Sequence, residues 1–393
     1  MFVRFIDDDT RDVVRSNFDA LVWARLVSNA CYRYTPPFVA VIARGLDVSV
    51  GELGVALMVA EFAGLLSPFI GRRIDRANRL VAMGMGMGML VAGITLAAVA
   101  PHVVIFAIGV FALNTAKIIF DTGLIVWVND HVPYERRGRI VGVIETSWAL
   151  GLFLGVSAMG LVTGLVSWRA GMMLGAVAMA ATGVNVIARL PRHDAHPPAQ
   201  ERQSARLPRE GWLVVASMFT LMGASQCVSI TFGPWFEDRF DFSSTALVGV
   251  VVAMGVVELV ASTGSSRVTD TWGKEASVHR GAMVMLTTAL AMLVGSHSVG
   301  VSVPAVVIFM LGFEFAVVSI LPLAAHIVPG ASGAGLGMAV GAGTCGRAVF
   351  SAVATSLYEA HGAAGPAVAS AVLAALTAVL IATYGRSSTP ALR

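Results

Sequence analysis

Twelve long apolar runs, separated by short polar loops, occupy nearly the whole chain. They lie at 20–43, 51–70, 80–100, 103–128, 140–163, 169–190, 211–236, 244–264, 279–298, 302–325, 333–358 and 364–385. A helix needs roughly 20 apolar residues to cross the hydrocarbon core of a bilayer. Within that core, helices satisfy their own backbone hydrogen bonds, so runs of this length and continuity predict helices. The expected fold is all-α and integral to a membrane, with twelve transmembrane helices. One polar stretch, 191–210, splits the runs into two groups of six. The predicted layout is an N-terminal six-helix bundle at 1–190, a flexible cytoplasmic linker at 191–210 and a C-terminal six-helix bundle at 211–393.

The two groups repeat each other at an offset of about 194 residues. Asp47-Val48-Ser49 precedes the second run, which holds Glu61 and ends near Asp75; Asp241-Phe242-Ser243 precedes the eighth, which holds Glu258 and ends near Asp270. Val103-Val104-Ile105-Phe106 opens the fourth run and Val306-Val307-Ile308-Phe309 the tenth. His131-Val132-Pro133 and His326-Ile327-Val328-Pro329 follow them. An even number of crossings separates the copies, so the bundles are expected to be pseudo-symmetric about an axis along the membrane normal, with the functional site where they meet.

Composition agrees with a membrane chain. Residues are 56% hydrophobic and 13% charged, against about 25% charged in a soluble domain. Of the 27 basic residues, Arg44, Arg169 and Arg239 fall on one side of the predicted membrane and Arg25, Arg33, Lys117 and Arg347 within runs, which leaves 20 on the other side. The positive-inside rule then places both termini and the linker in the cytoplasm. A multi-pass protein of a bacterial inner membrane is expected. Residues 1–17 are charged and lack an apolar core, so no cleavable signal is expected and the first run acts as its own insertion signal. Cys31, Cys227 and Cys345 lie inside runs and are expected to be free thiols.

A charge at mid-bilayer costs about 2.5–3.5 kcal/mol on insertion scales and marks a functional candidate. Arg33, Glu61, Lys117, Asp121, Glu145, Glu258, Glu314 and Arg347 qualify. Lys117 and Asp121 share a helix face at i,i+4. Glu314 and Arg347 sit near the middle of consecutive runs, where an arginine can hold a carboxylate ionised until the pair is broken. Candidates for proton coupling are therefore Glu314, Arg347, Asp121, Lys117 and Glu61. A static salt bridge or a wet cavity wall would use the same residues. Glu145 and Glu258 are nearer helix ends, where gating or structural roles fit. Arg25 is near a membrane boundary, where its side chain is expected to reach toward water. Asn29, Arg33, Asn114, Trp148, Gln226 and Trp235 are candidates for a substrate cavity, alongside Tyr32 and Tyr34.

The segment Met83-Gly84-Met85-Gly86-Met87-Gly88-Met89 looks like a nucleotide loop but lies within a run, with no strand before it and no Lys-Ser or Lys-Thr after it. Gly84 with Gly88, and Gly333 with Gly337 and Gly341, with Gly343 and Gly346 added, are read as small faces for close helix contact. The histidines do not form His-Glu-x-x-His. No enzymatic activity, cofactor, metal or nucleic-acid partner is expected.

At the loop Gly71-Arg72-Arg73-Ile74-Asp75-Arg76-Ala77-Asn78-Arg79 the chain resembles the major facilitator superfamily of secondary transporters. The family pattern is Gly, three residues, Asp, Arg, any residue, Gly, Arg. Asn78 replaces the second Gly, and as a residue tolerant of the left-handed region it is expected to keep a tight turn. A degenerate copy runs from Ser266 to Lys274 and includes Asp270; Arg136-Arg137-Gly138-Arg139 and Trp168-Arg169 are also similar to the family. The resemblance covers essentially the whole chain. It implies a conformational latch built from Gly71, Asp75, Arg76, Arg79, Glu145, Glu258 and Asp270, although the same arginines would also satisfy the positive-inside rule. Many exporters of the family carry Gly, three residues, Gly-Pro in the fifth helix; here Gly151, Gly155 and Gly160 are present but Val156 stands at the proline.

The implied function is proton-coupled export of a small organic molecule by alternating access, in an antiporter that resembles drug and sugar efflux permeases. The partners are a small-molecule substrate, protons and the lipid bilayer, and a monomer is expected. Uptake by a proton symporter or facilitator is one alternative. A non-transporting membrane sensor is another.

Overall fold

A computed structural model describes residues 2–5, 12–74, 78–132, 134–190, 207–328 and 332–388. Among them every regular element is a helix. In chain order these are α1 (Asp12–Arg33), α2 (Val39–Gly45), α3 (Val50–Glu61), α4 (Ser67–Ile74), α5 (Arg79–Val99), α6 (Val103–His131), α7 (Tyr134–Leu150) and α8 (Ser157–Leu165). There follow α9 (Trp168–Arg189), α10 (Gly211–Phe240), α11 (Ser244–Trp272), α12 (Lys274–Val294), α13 (Val299–Ala324), α14 (Ser332–His361) and α15 (Ala364–Ser388). A π-helical turn, Gly151–Val156, joins α7 to α8.

Ten stretches among the described residues are long and apolar enough to cross a membrane. They coincide with the third to twelfth predicted runs. The first two runs are broken. The first is interrupted after α1 by a 3₁₀ turn at Pro36–Phe38, because consecutive prolines lack the N–H a helix needs. The second is split by a 3₁₀ turn at Phe62–Leu66, with Pro68 in the first turn of α4, where proline is accepted.

The chain forms two compact units. One contains residues 1–35 and 66–200, the other 36–65 and 201–393. The segment carrying α2 and α3 thus packs with the later helices, although the sequence order groups it with the first six runs.

The repeat has a local physical basis. Asp47 and Asp241 both take left-handed backbone angles, φ 56° and 54°, a conformation that Asp tolerates. Two residues on, Ser49 and Ser243 each accept a backbone N–H at a helix start, from Glu52 at 3.1 Å and from Ala246 at 3.2 Å. Glu52 returns a bond to the Ser49 N–H and completes a capping box. Asn78 does not take the left-handed turn expected of it. It is extended (φ −63°, ψ 129°) and caps α5, accepting from Leu80 and Val81, the usual role of Asn before a first helical turn.

Glycines set the closest helix contacts, and only some of the predicted ones, Gly343 and Gly346 among them, take part. Gly88 faces open space and Gly84 only the tip of Ile187. The α5–α6 crossing uses Gly93 against Gly109, where an added Cβ on Gly93 would stand 2.7 Å from the Leu113 nitrogen. The α12–α13 crossing mirrors it with Gly281 against Gly312. In α14, Gly337 and Gly341 are likewise open, and Gly343 and Gly346 make the contact with α10; Gly333 has no described side-chain surroundings. Along the α3–α14 seam, Gly51 lies on Glu359, Gly54 on Thr355 and Gly64 on Thr344.

Candidate functional site

In the first unit, four charged side chains meet where α1, α6 and α7 pack. Lys117 donates to Asp121 Oδ2 at 2.6 Å. Arg25 forks onto Glu145 at 3.0 and 3.1 Å and also donates to the Ile144 carbonyl at 2.8 Å and Ser147 Oγ at 3.1 Å. The sequence reading sent Arg25 toward water; instead it is buried, because α7 offers a carboxylate, a carbonyl and a hydroxyl that an always-charged guanidinium can occupy together. The signal was present in the sequence, since Arg25, Asn29 and Arg33 share one helix face at four-residue spacing. Arg25 Nε and Asp121 Oδ1 face each other at 3.6 Å, too far for a hydrogen bond, and neither atom has a hydrogen-bond partner among the described residues.

Aromatic rings border this cluster. Arg33 lies 4.6 Å from the centre of the Trp148 ring and donates to the Trp148 carbonyl at 3.2 Å. Lys117 Nζ is 5.8 Å from the Tyr32 ring and 5.9 Å from the Trp148 ring. Asn29 donates to Ser147 Oγ at 3.2 Å. Below it, Gly151 and Gly155 of the π-helical turn lie on Asn29 and Ala30. The glycines expected from the exporter pattern thus let α1 approach closely at a turn type enriched near functional sites.

The second unit repeats the amide–serine contact. Gln226 donates to Ser351 Oγ at 2.8 Å, and the side-chain oxygens of Gln226 and Asn29 are both buried without a partner. One turn before Ser351, Arg347 donates to Glu61 at 2.9 and 3.4 Å. The sequence reading set Arg347 opposite Glu314; the hydrogen bonds described here go to Glu61, 286 positions away along the chain. Glu314 and Glu258 are both buried. Trp235 packs among Phe236 and Phe240 in an aromatic cluster at the end of α10. Asn114 is buried on α6. Three contacts were not anticipated: Arg44 to Glu237 at 2.6 Å, Tyr358 to Asp238 at 2.6 Å, and the Gly51 N–H to Glu359 at 2.7 Å.

Of the expected latch, Arg79 is buried and donates to Asp130 at 2.9 Å and to the Ile74 carbonyl at 2.5 Å. Gly71 is in α4 with open space at its Cα. Asp75 and Arg76 lie outside the described residues, as does the side chain of Asp270. Glu145 holds Arg25, as above. Among the described residues no group of His, Cys, Asp and Glu is set to hold a metal ion.

The sequence matches the family model of the Major Facilitator Superfamily over residues 21–350. The chain belongs to the major facilitator superfamily. A relative from Bacillus subtilis (strain 168), the uncharacterized MFS-type transporter YwfA, is 24% identical over 245 residues, or 59% of this chain and 58% of that protein. The alignment thus spans a little over half of that relative. Solved structures share the fold at low identity. A bacterial homolog of the human lysosomal transporter Spinster, inward-facing and unoccupied, has a TM-score of 0.75 at 11% identity, covering 96% of this chain and 95% of that one. The human organic anion transporter MFSD10 (TETRAN) has a TM-score of 0.68 at 17% identity, covering 93% and 99%. These findings place this superfamily member among membrane transporters and not enzymes.

Proposed function

We propose that this chain is a secondary active transporter that exports a small organic molecule in exchange for protons, by alternating access. In this reading the two broken runs also cross the membrane, giving twelve crossings in two six-helix repeats, with both termini in the cytoplasm of a bacterial cell and a monomer as the working unit. The observation that carries proton coupling is the Glu61–Arg347 pair, half-buried in two apolar segments, with side chains 12% and 20% exposed. Removing an arginine from a buried carboxylate favours the neutral, protonated form of the acid. Glu61 therefore exchanges Arg347 for a proton during the cycle, and substrate is released as the proton binds. Export is the direction that the likeness to efflux permeases suggests, although Val156 stands where the exporter pattern has its proline.

The test compares transporter-deficient bacteria that make the wild-type chain or Glu61→Gln at equal membrane level, across a broad panel of toxic compounds. Protection by wild type that is lost in the variant supports proton-linked export. Protection by both retains export and removes Glu61 from coupling. Greater sensitivity with wild type reverses the direction to uptake. A sensor predicts neither effect.

A further inference from the structure

We propose that Lys117 is the anion-binding end of the substrate site, and that the exported molecule is an organic acid carried as its carboxylate, with a flat apolar body lying on Trp148. This inference rests on the transport reading above but not on its direction or its coupling residue.

An ammonium has three N–H donors. Lys117 is buried, and one donor goes to Asp121 Oδ2 at 2.6 Å. The rings of Tyr32 and Trp148 have their centres 5.8 and 5.9 Å away, and the charges of Arg25 and Glu145 also reach it. Those distances sit at the outer limit of a cation–ring attraction and, among the described residues, leave two donors without an oxygen acceptor. A buried cation so placed is costly unless an acceptor completes its shell. A carboxylate does so, with Trp148, whose ring already carries Arg33 at 4.6 Å, and Tyr32 as the aromatic surface for a planar apolar body behind it. A cationic molecule is disfavoured there, because Asp121 and Glu145 are already engaged by Lys117 and Arg25.

The neighbouring geometry fits a carboxylate that arrives and leaves. Binding of an anion draws Lys117 from Asp121. Asp121 has a second partner at hand, since Arg25 Nε stands 3.6 Å from its free Oδ1. A small turn of the carboxylate closes that gap, so the cluster accepts an anion without stranding its own. The Asp121 side chain is 27% exposed, which gives the ligand an approach from that side.

The chain has only two lysines, Lys117 and Lys274. In full-length Lys274→Arg protein held in lipid nanodiscs and labelled with [15N]lysine, the sole Nζ resonance reports Lys117. It is titrated with benzoate, 1-naphthoate and indole-3-acetate, with the amide of each skeleton, and with benzylammonium. The expected result is a saturable shift with a carboxylate and none with its amide, weakened about threefold to tenfold by Trp148→Leu. A resonance moved equally by acid and amide, moved only by benzylammonium, or unmoved by all probes overturns the proposal; in the last case water meets the two donors. The readout is binding at Lys117, so failure of export or of Glu61 coupling leaves it intact, and its failure leaves those standing.

Discussion

Two alanine substitutions in the same helix, five residues apart, should have opposite effects on stability. A Cβ on Gly93 would lie 2.7 Å from the Leu113 nitrogen and 2.9 Å from the Gly109 carbonyl oxygen. Both are backbone atoms of α6, so neither can swing aside. The shortest contact is about 0.8 Å inside the optimal separation, and the helices must part to accept it. Overpacking of this kind costs about 1–3 kcal/mol. Alanine recovers roughly 0.5–1 kcal/mol of that, because it loses less chain freedom in a helix than glycine. Gly93→Ala should therefore lose up to about 2.5 kcal/mol net. Gly88→Ala meets nothing and should gain roughly 0.5–1 kcal/mol. Cys31 is buried in the same unit, so in a chain with Cys227→Ala and Cys345→Ala a thiol-reactive dye follows unfolding on heating. The apparent midpoint should fall for Gly93→Ala and hold or rise for Gly88→Ala. The reverse order would mean that the helices meet on the face carrying Gly84 and Gly88, and the packing argument would fail.

Arg79→Gln leaves Asp130 without its cation and should destabilise by up to about 3–5 kcal/mol, with partial recovery on adding Asp130→Asn, read as detergent-resistant folded protein. Ser49→Ala removes the cap of α3 and should cost about 0.5–2 kcal/mol in the same assay, while Ser49→Asp should retain most of the stability. Ser147→Ala withdraws an acceptor shared by Arg25 and Asn29 and should cost about 1–3 kcal/mol; an unchanged midpoint would mean that water takes its place. A Cβ on Gly54 would stand 2.7 Å from the Thr355 Cβ, so Gly54→Ala should force α3 from α14 and lower the midpoint in the same assay, by about 1–3 kcal/mol. An unchanged midpoint would show that the α3–α14 seam is not closely packed at Gly54.

Hydropathy was enough to find the helices, because a membrane crossing requires length and apolarity and little else. It missed the breaks at Pro36 and Pro68, since apolarity continues across them while helical hydrogen bonding does not. The repeat was legible at Asp47-Val48-Ser49 and Asp241-Phe242-Ser243 because a left-handed Asp followed by a capping Ser is local chemistry. Charged residues such as Lys117, Asp121, Glu61 and Arg347 stood out one by one in an apolar background. The i,i+4 pair Lys117–Asp121 was legible as well, but partners on other helices were not. Arg347 finds Glu61 through tertiary packing that no spacing encodes. The choice between Gly88 and Gly93 was equally hidden, since both have the same local chemistry and only the position of α6 separates them. Arg25 was misread for the same reason: its acceptors are on α7.

The exchange of residues 36–65 into the unit built from residues 201–393 bears on how the protein could be divided. A gene cut in the linker would give a first fragment whose α3 lacks the threonines and glutamate that its glycines fit. The second fragment would hold an α14 with Thr344, Thr355 and Glu359 uncovered along one face. Neither piece is a finished folding unit, so the linker marks a boundary of sequence and not of autonomy. The two fragments carry complementary surfaces, much as a swapped arm joins two subunits of a dimer. Co-expressed halves should therefore restore the transporter only as a pair, with the α3–α14 seam as their point of mutual recognition.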